Sequence, residues 1–390
     1  MFDKNNITIL CKVIDNYGDI GVVYRLAKSL SEKNKKLKIT IICSDLESFS
    51  KLNSKILPDK RIQFFSYKNV NWTILDWTQT QESLNKLKNS NDFTFPVILE
   101  CFQCGRPDWL ENILFDEQKQ TFHQIINIEY LTAEDWADDF HLLKSYTRNS
   151  FVKKIFFMPG FTQKTGGLII DENFKNLMDC NNSQNEENTK NQKSTFKVSI
   201  FSYERSFIQI FKALNEFQIR MQKKLPNFCV EVLAAAGKSF NFAKSAWINT
   251  GRKVKFIPLD FLPQEEYDKV FFECDVNFVR GEESLVRSCL SSKPFLWHAY
   301  IQEEEYQLVK VEALLSKLLP FFSEEEKKLL TKLFIDYNTK EKELNKNELI
   351  DFFEQSFSLK QNFAVFTKKL LLNGELAENL LNYIKTLDYI

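Results

Sequence analysis

The stretch Ile7-Thr-Ile-Leu-Cys-Lys-Val-Ile-Asp-Asn-Tyr-Gly-Asp-Ile-Gly-Val-Val-Tyr-Arg-Leu-Ala-Lys-Ser-Leu30 decides the fold. Ile7 to Val13 is a short β-branched apolar run that predicts a strand, and Val22, Val23, Leu26, Ala27 and Leu30 recur at helical spacing. Gly18 and Gly21 let the intervening turn be tight, and that turn carries two carboxylates, Asp15 and Asp19. A strand-to-helix turn is where α/β enzymes place their chemistry. An aspartate there also caps helices well, a role that accounts for one carboxylate better than for two.

Outward from this turn the first half alternates strands with helical patterns. Strands are predicted at Ile7 to Val13, Leu37 to Cys43, Ile62 to Phe65, Phe95 to Glu100 and Gln124 to Ile128. This is a doubly wound α/β pattern. Residues 176–195 then offer almost nothing to bury and read as a polar linker or surface loop. A second series follows at Lys197 to Phe201, Cys229 to Ala234, Val254 to Leu259, Val276 to Val279 and Phe295 to His298, again with intervening helices. Beyond Ser323 the pattern is helical to the end, with Leu and Phe stripes that belong to a core.

The 390 residues suffice for two domains. Lys plus Arg and Asp plus Glu balance at 52 each, which gives no global charge argument for nucleic acid or an anionic membrane, so an anion site has to be local. No apolar run is long enough to span a bilayer, and Met1-Phe-Asp-Lys-Asn-Asn does not resemble a signal peptide, so a cytoplasmic protein is expected. Most of the eight cysteines lie in apolar runs and read as small core residues. Cys101 and Cys104 have metal-ligand spacing but no second pair, and His123, His141 and His298 are scattered, so no metal is expected.

A second constellation is Val279-Arg-Gly-Glu-Glu-Ser-Leu-Val-Arg287. Here too a strand ends, a glycine bends the chain and a helix opens, which favours a phosphate at the helix start. Arg280 adds a forked cation suited to a diphosphate, and Ser284 a hydroxyl and an amide. The plainer alternative has Glu282, Glu283 or Ser284 capping the helix and Arg280 in a surface ion pair. One helix upstream, Tyr267 could stack on a pyrimidine while Gln264 hydrogen-bonds its edge, although a lone aromatic on a helix is usually core. Tyr203 and Glu204 fall at the end of the first strand of this half, on the same rim of the sheet.

Taken together, Val13-Ile-Asp-Asn-Tyr-Gly-Asp-Ile-Gly21, Asn127-Ile-Glu-Tyr-Leu-Thr-Ala-Glu-Asp-Trp136, Pro159-Gly-Phe-Thr-Gln-Lys-Thr-Gly-Gly167, Phe201-Ser-Tyr-Glu204, Val279-Arg-Gly-Glu-Glu-Ser284 and Lys293-Pro-Phe-Leu-Trp-His298 resemble the elongation factor P arginine rhamnosyltransferases, over nearly the whole chain. The resemblance implies an inverting glycosyltransferase of the GT-B arrangement, two Rossmann-like domains facing a cleft, acting on dTDP-β-L-rhamnose and an arginine of translation elongation factor P, with no cofactor. It implies an acceptor domain over 1–175, a nucleotide-sugar domain over 196–359, and C-terminal helices at about 360–390 packing back on the first. Asp19 resembles the family's general base, Asp15 the other aspartate of that turn, and Glu282 its essential glutamate. Arg280, Glu283 and Ser284 match positions that hold the diphosphate, and Tyr203, Gln264 and Tyr267 positions that contact the nucleotide. The acceptor surface is implied near Asp15 and the Pro159–Gly167 loop. Three positions depart from the pattern: Glu283 stands where Asp is expected, Arg205 where Asn is usual and Tyr267 where Phe is common. A sugar-nucleotide epimerase or another GT-B transferase is the alternative reading.

Overall fold

The computed structural model describes residues 2–14, 17–88, 94–116, 118–187 and 194–387. Asp15 lies outside the described residues. The chain divides into two units, Met1–Glu172 with Leu372–Ile390, and Asn173–Leu371.

The first unit is built on β1 (Asn6–Cys11), β2 (Lys38–Cys43), β3 (Ile62–Tyr67), β4 (Val70–Asp76), β5 (Val97–Cys101), β6 (His123–Ile128), β7 (Lys144–Ser145) and β8 (Val152–Phe157), with α1 (Tyr17–Lys33), α2 (Leu46–Leu52), α3 (Gln81–Lys88), α4 (Asp108–Leu114) and α5 (Trp136–Phe140) between them. The sheet order is β3-β4-β2-β1-β5-β6-β8-β7, parallel except for β3 and β7 at its two edges. Central strands covered on both faces are mostly apolar, and β1, β5 and β6 are buried along their whole length. The sequence did not single out β4 or β8. Asn71 and Thr73 break the apolar run of β4, and Lys153 and Lys154 that of β8.

The second unit begins with α6 (Glu172–Glu187), followed by β9 (Thr195–Ile200), α7 (Ile208–Gln222), β10 (Cys229–Ala235), α8 (Phe240–Asn249), β11 (Lys255–Leu259), α9 (Gln264–Glu273), β12 (Val276–Arg280), α10 (Gly281–Leu290), β13 (Phe295–His298), α11 (Gln307–Leu318), α12 (Glu324–Asn338) and α13 (Lys346–Leu371). Its five strands run parallel in the order β11-β10-β9-β12-β13. The chain therefore adopts the expected α/β class, two Rossmann-like sheets.

The polar stretch expected to link the domains differs in its first part. Phe174 and Met178, one helical turn apart, are buried and anchor α6 in the second unit, Phe174 against Phe272 at 5.1 Å. Residues 176–187 are consequently helix, and 188–193 lie outside the described residues. At the other end the long α13 stays with the second unit, so the return to the first unit begins at Leu372 and not near residue 360.

The element that returns is α14 (Leu376–Lys385). Leu376, Ala377, Leu380, Leu381 and Ile384 join the core formed by β1, β2 and α1. Its entry is fixed by polar contacts: the Leu376 N–H donates to Leu168 O (2.8 Å), Asn373 Nδ2 to Phe161 O (2.8 Å) and Asn379 Nδ2 to Gly166 O (3.0 Å). Gly167 has φ +79°, and a Cβ there would lie 2.5 Å from Gly374 O. The glycine end of the Pro159–Gly167 loop thus receives the chain's own C-terminal segment.

Beneath this contact Arg25 of α1 pairs with Asp171 at 2.7 Å, with the two side chains only 1% and 4% exposed. Removing one member of a buried pair strands the other charge. Asp171→Ala is expected to lower unfolding free energy by about 3–5 kcal/mol, whereas the double variant Arg25→Met, Asp171→Leu recovers most of the loss. Urea midpoints of the three proteins check this.

Candidate functional site

In a doubly wound sheet the crevice opens where strand order reverses, beyond the carboxyl ends of the strands. In the first unit that point lies between β1 and β5. Asp19 stands in the first turn of α1, 5% exposed, just after β1. Its Oδ2 accepts the Ile14 N–H at 2.8 Å and its Oδ1 a longer bond of 3.4 Å from the Tyr130 hydroxyl. Two donors on different oxygens fix the plane of the carboxylate.

The sequence named the segment that holds Tyr130 but gave the residue no role. Tyr130 follows β6, is 40% exposed, and stacks on Phe102 with ring centroids 4.5 Å apart and planes at 18°. Phe102 and Gln103 follow β5 with φ of 58° and 51°, left-handed values that non-glycine residues seldom adopt. The turn carries Gln103 Nε2 to Glu129 Oε1 at 2.9 Å, and Asn127 donates to the same oxygen. Burial holds the Glu129 carboxyl above the usual carboxylate range, against these two hydrogen bonds. This edge therefore gathers Asp19, Glu129, Gln103 and an aromatic shelf, a set suited to a cationic, planar ligand. The thiols behind it are not poised as ligands: burial raises Cys101, and pushes Cys104 up to about 12.

In the second unit the switch point lies between β9 and β12. Arg280 ends β12 and Gly281, at φ +65°, opens α10. The Arg280 guanidinium lies 4.8 Å from the Phe201 ring and 4.9 Å from the Tyr203 ring, so two aromatic faces after β9 hold it in place of a carboxylate. The Gly281 carbonyl accepts the Trp297 indole N–H at 2.8 Å. Ser284 sits buried in the first turn of α10, and Glu282 is half-buried beside it.

Tyr203 is fixed from below. Its ring meets His298 edge-on at 5.4 Å and Tyr300 at 5.6 Å. Ser202 Oγ lies 2.9 Å from His298 Nδ1 and 2.8 Å from the Tyr337 hydroxyl. Burial, with Arg205 and Arg280 nearby, pushes His298 down to about 3, so the ring is neutral at physiological pH.

The structure brings Tyr203, Arg280 and Ser284 to one edge. Tyr267 stands one ring away, packed between Phe201 (5.4 Å) and Phe271 (5.4 Å), and burial raises its phenol. Gln264 opens α9. Glu283 turns to Arg287 at 3.1 Å, and Arg287, 1% exposed, stacks over Phe174 at 4.5 Å. Phe102, Gln103, Glu129, Tyr130 and Phe201 are the site residues the sequence left without a role. Each lies one or two residues past the carboxyl end of a strand at or next to a switch point, which was the available signal.

An edge of fixed carboxylates on one Rossmann-like unit and an arginine–aromatic turn on the other are the equipment of a nucleotide-sugar transferase. Residues 7–385 match the family model described as Elongation-Factor P (EF-P) rhamnosyltransferase EarP. The chain belongs to this family. It is 33% identical over 332 residues to a protein-arginine rhamnosyltransferase of Shewanella oneidensis, covering 79% of each chain. It is 28% identical over 322 residues to the Pseudomonas aeruginosa protein of the same name, covering 79% of this chain and 80% of that one. The fold also matches a solved structure of EarP-mediated arginine glycosylation of translation elongation factor EF-P, with a TM-score of 0.57 and 19% identity over 98% of this chain and 99% of that one.

His298 generates a pH prediction. Its folded value lies below the unfolded value near 6.5, so its contribution is full above about pH 6.5 and is lost as pH falls toward the folded value, because the unfolded chain takes the proton first. Between pH 7 and pH 5 the loss is up to about 2 kcal/mol. His298→Gln should flatten the pH dependence of the melting temperature over that range.

Proposed function

We infer that the chain transfers L-rhamnose from dTDP-β-L-rhamnose to an arginine side chain of EF-P, with inversion at the anomeric carbon. The observation that carries this reading is the Asp19 carboxylate, held at the first switch point by the Ile14 N–H and by the Tyr130 hydroxyl that projects from a stacked aromatic pair. An acceptor guanidinium is matched there by charge, by planar hydrogen bonding and by an aromatic face.

A guanidinium with a pKa above ~12 is a poor nucleophile because its nitrogen lone pairs are delocalised. Asp19 accepts a hydrogen bond from one N–H, localising the lone pair on that nitrogen, and takes the proton as the new bond forms. The nitrogen attacks the anomeric carbon from the face opposite dTDP. The bond from that carbon to the β-phosphate oxygen breaks, and its electron pair leaves with the diphosphate. Glu282, and Asp15 in the acceptor turn, are assigned to the remaining acceptor nitrogens or sugar hydroxyls.

In the second unit Arg280, the amides opening α10 and the Ser284 hydroxyl meet the developing diphosphate charge, so the reading requires no metal and no cofactor. Glu283 is anionic and engaged by Arg287, which suits it to hold α10 or a ribose hydroxyl better than a phosphate. Phe201 and Tyr203 offer ring faces and Gln264 an amide for the thymine, with Tyr267 supporting Phe201 from behind. No helix among the described residues is long and apolar enough to cross a membrane, and a translation factor as acceptor sets the reaction in the cytoplasm.

Incubating the chain with EF-P and dTDP-β-L-rhamnose should add one deoxyhexosyl mass to EF-P, located on an arginine; an unmodified acceptor rejects the reading. Asp19→Asn is expected to lose 10²–10⁴-fold in transfer rate, on the order of what a positioned base contributes, while dTDP affinity by calorimetry is unchanged. Arg280→Ala is expected to show the opposite pattern at subsaturating donor: weaker dTDP binding, with activity partly restored by raising the donor concentration.

A further inference from the structure

Beside the arginine–aromatic turn stands a second cation that neither the motifs nor the reaction scheme has used. Ala236-Gly-Lys-Ser239 joins β10 to α8, next to the turn that follows β9. This loop is pinned on both sides of its lysine. Gly237, at φ +137°, lies against Phe201, whose ring is 4.0 Å from the position a Cβ would take. Ser239 Oγ accepts the Ser202 N–H at 3.1 Å. Between these anchors Lys238 reaches the Tyr203 ring, with Nζ 5.8 Å from the centroid. The same ring carries the Arg280 guanidinium at 4.9 Å.

Neither Arg280 nor Lys238 has a carboxylate partner among the described residues, although the chain has as many acids as bases. Two cations converging on one aromatic ring repel each other, and an anion between them removes that repulsion. Lys238 is exposed, yet its backbone is not free to wander. A loop tied to Phe201 and Ser202 holds this one beside the switch point. The tripeptide Gly237-Lys-Ser239 lacks the first glycine of a phosphate-binding P-loop, so the sequence alone does not mark it.

We propose that Lys238 is a second diphosphate-binding residue of the nucleotide-sugar site, meeting the phosphates from the β10 side while Arg280 meets them from the β12 side. The proposal rests on the donor reading of the Arg280 turn. It assigns the lysine a charge role, sensitive to the phosphates and indifferent to the base.

The test uses the full-length chain with dTDP and with thymidine, titrated by calorimetry against wild type, Lys238→Ala, Lys238→Arg and Arg280→Ala. Lys238→Ala is expected to weaken dTDP about tenfold with thymidine affinity and melting temperature unchanged, and Lys238→Arg to restore most of the dTDP affinity. If Arg280→Ala weakens dTDP while Lys238→Ala does not, the lysine role is overturned and the donor reading stands. If Lys238→Ala weakens dTDP and thymidine equally, the lysine acts through the shape of the Tyr203 turn, and the charge role is overturned. If neither variant changes dTDP affinity, the donor reading falls and the proposal falls with it.

Discussion

A parallel sheet brings the carboxyl ends of all its strands to one edge, and only where the strand order reverses do the crossover helices part and leave that edge open. Each unit has one such point, between β1 and β5 and between β9 and β12. The placement of Asp19 after β1, Gln103 after β5, Tyr203 after β9 and Arg280 at the end of β12 follows from this constraint. Much of the remaining polar structure steadies these edges. The Arg25–Asp171 pair and the α14 contacts hold α1, whose first turn carries Asp19. Ser202, His298 and Tyr337 hold the turn that carries Tyr203.

The two edges are opposite in charge, and each is fixed in a manner suited to its sign. Carboxylates are fixed by donors: Asp19 by an amide and a phenol, Glu129 by two side-chain amides. The arginine is fixed by ring faces, which hold its position without neutralising it. A carboxylate partner would stabilise Arg280 more strongly and cancel the field that its guanidinium presents at this edge. The aromatic cradle keeps the charge available at the cost of weaker retention, a compromise characteristic of preorganised ion sites.

Much of this was legible in the chain, and the gaps have definite causes. The strand–turn–helix at Ile7 to Leu30 and that at Val279 to Arg287 could be read because long apolar periods flank short polar turns. Strands β4 and β8 could not, because polar residues interrupt their apolar runs at the side of the sheet. Phe174 and Met178 show why the linker reading does not hold throughout: two buried side chains anchor a helix whose other residues are mostly polar. Tyr130 and Phe201 were invisible as site residues because an aromatic after a strand is ordinarily core, and only their contacts with Asp19 and Arg280 give them another meaning. The Pro159–Gly167 loop was read by resemblance alone, and its glycines meet a segment more than 200 residues away, a relation no local pattern contains.

The three departures from the family pattern illustrate where a site tolerates change. Arg205 lies 4.2 Å over the Tyr337 ring and donates to Tyr337 O and Lys342 O, so its charge closes the carboxyl end of α12. Glu283 is one methylene longer than aspartate, and its extra reach lets the carboxylate meet Arg287 one helical turn on. Tyr267 packs its ring between Phe201 and Phe271, where burial raises its phenol. Each change is taken up by the supporting layer, and none adds a charge between Arg280 and the Tyr203 ring. All three side chains are engaged by elements that flank the Arg280 turn: Arg205 by α12, Glu283 within α10 and Tyr267 by Phe201.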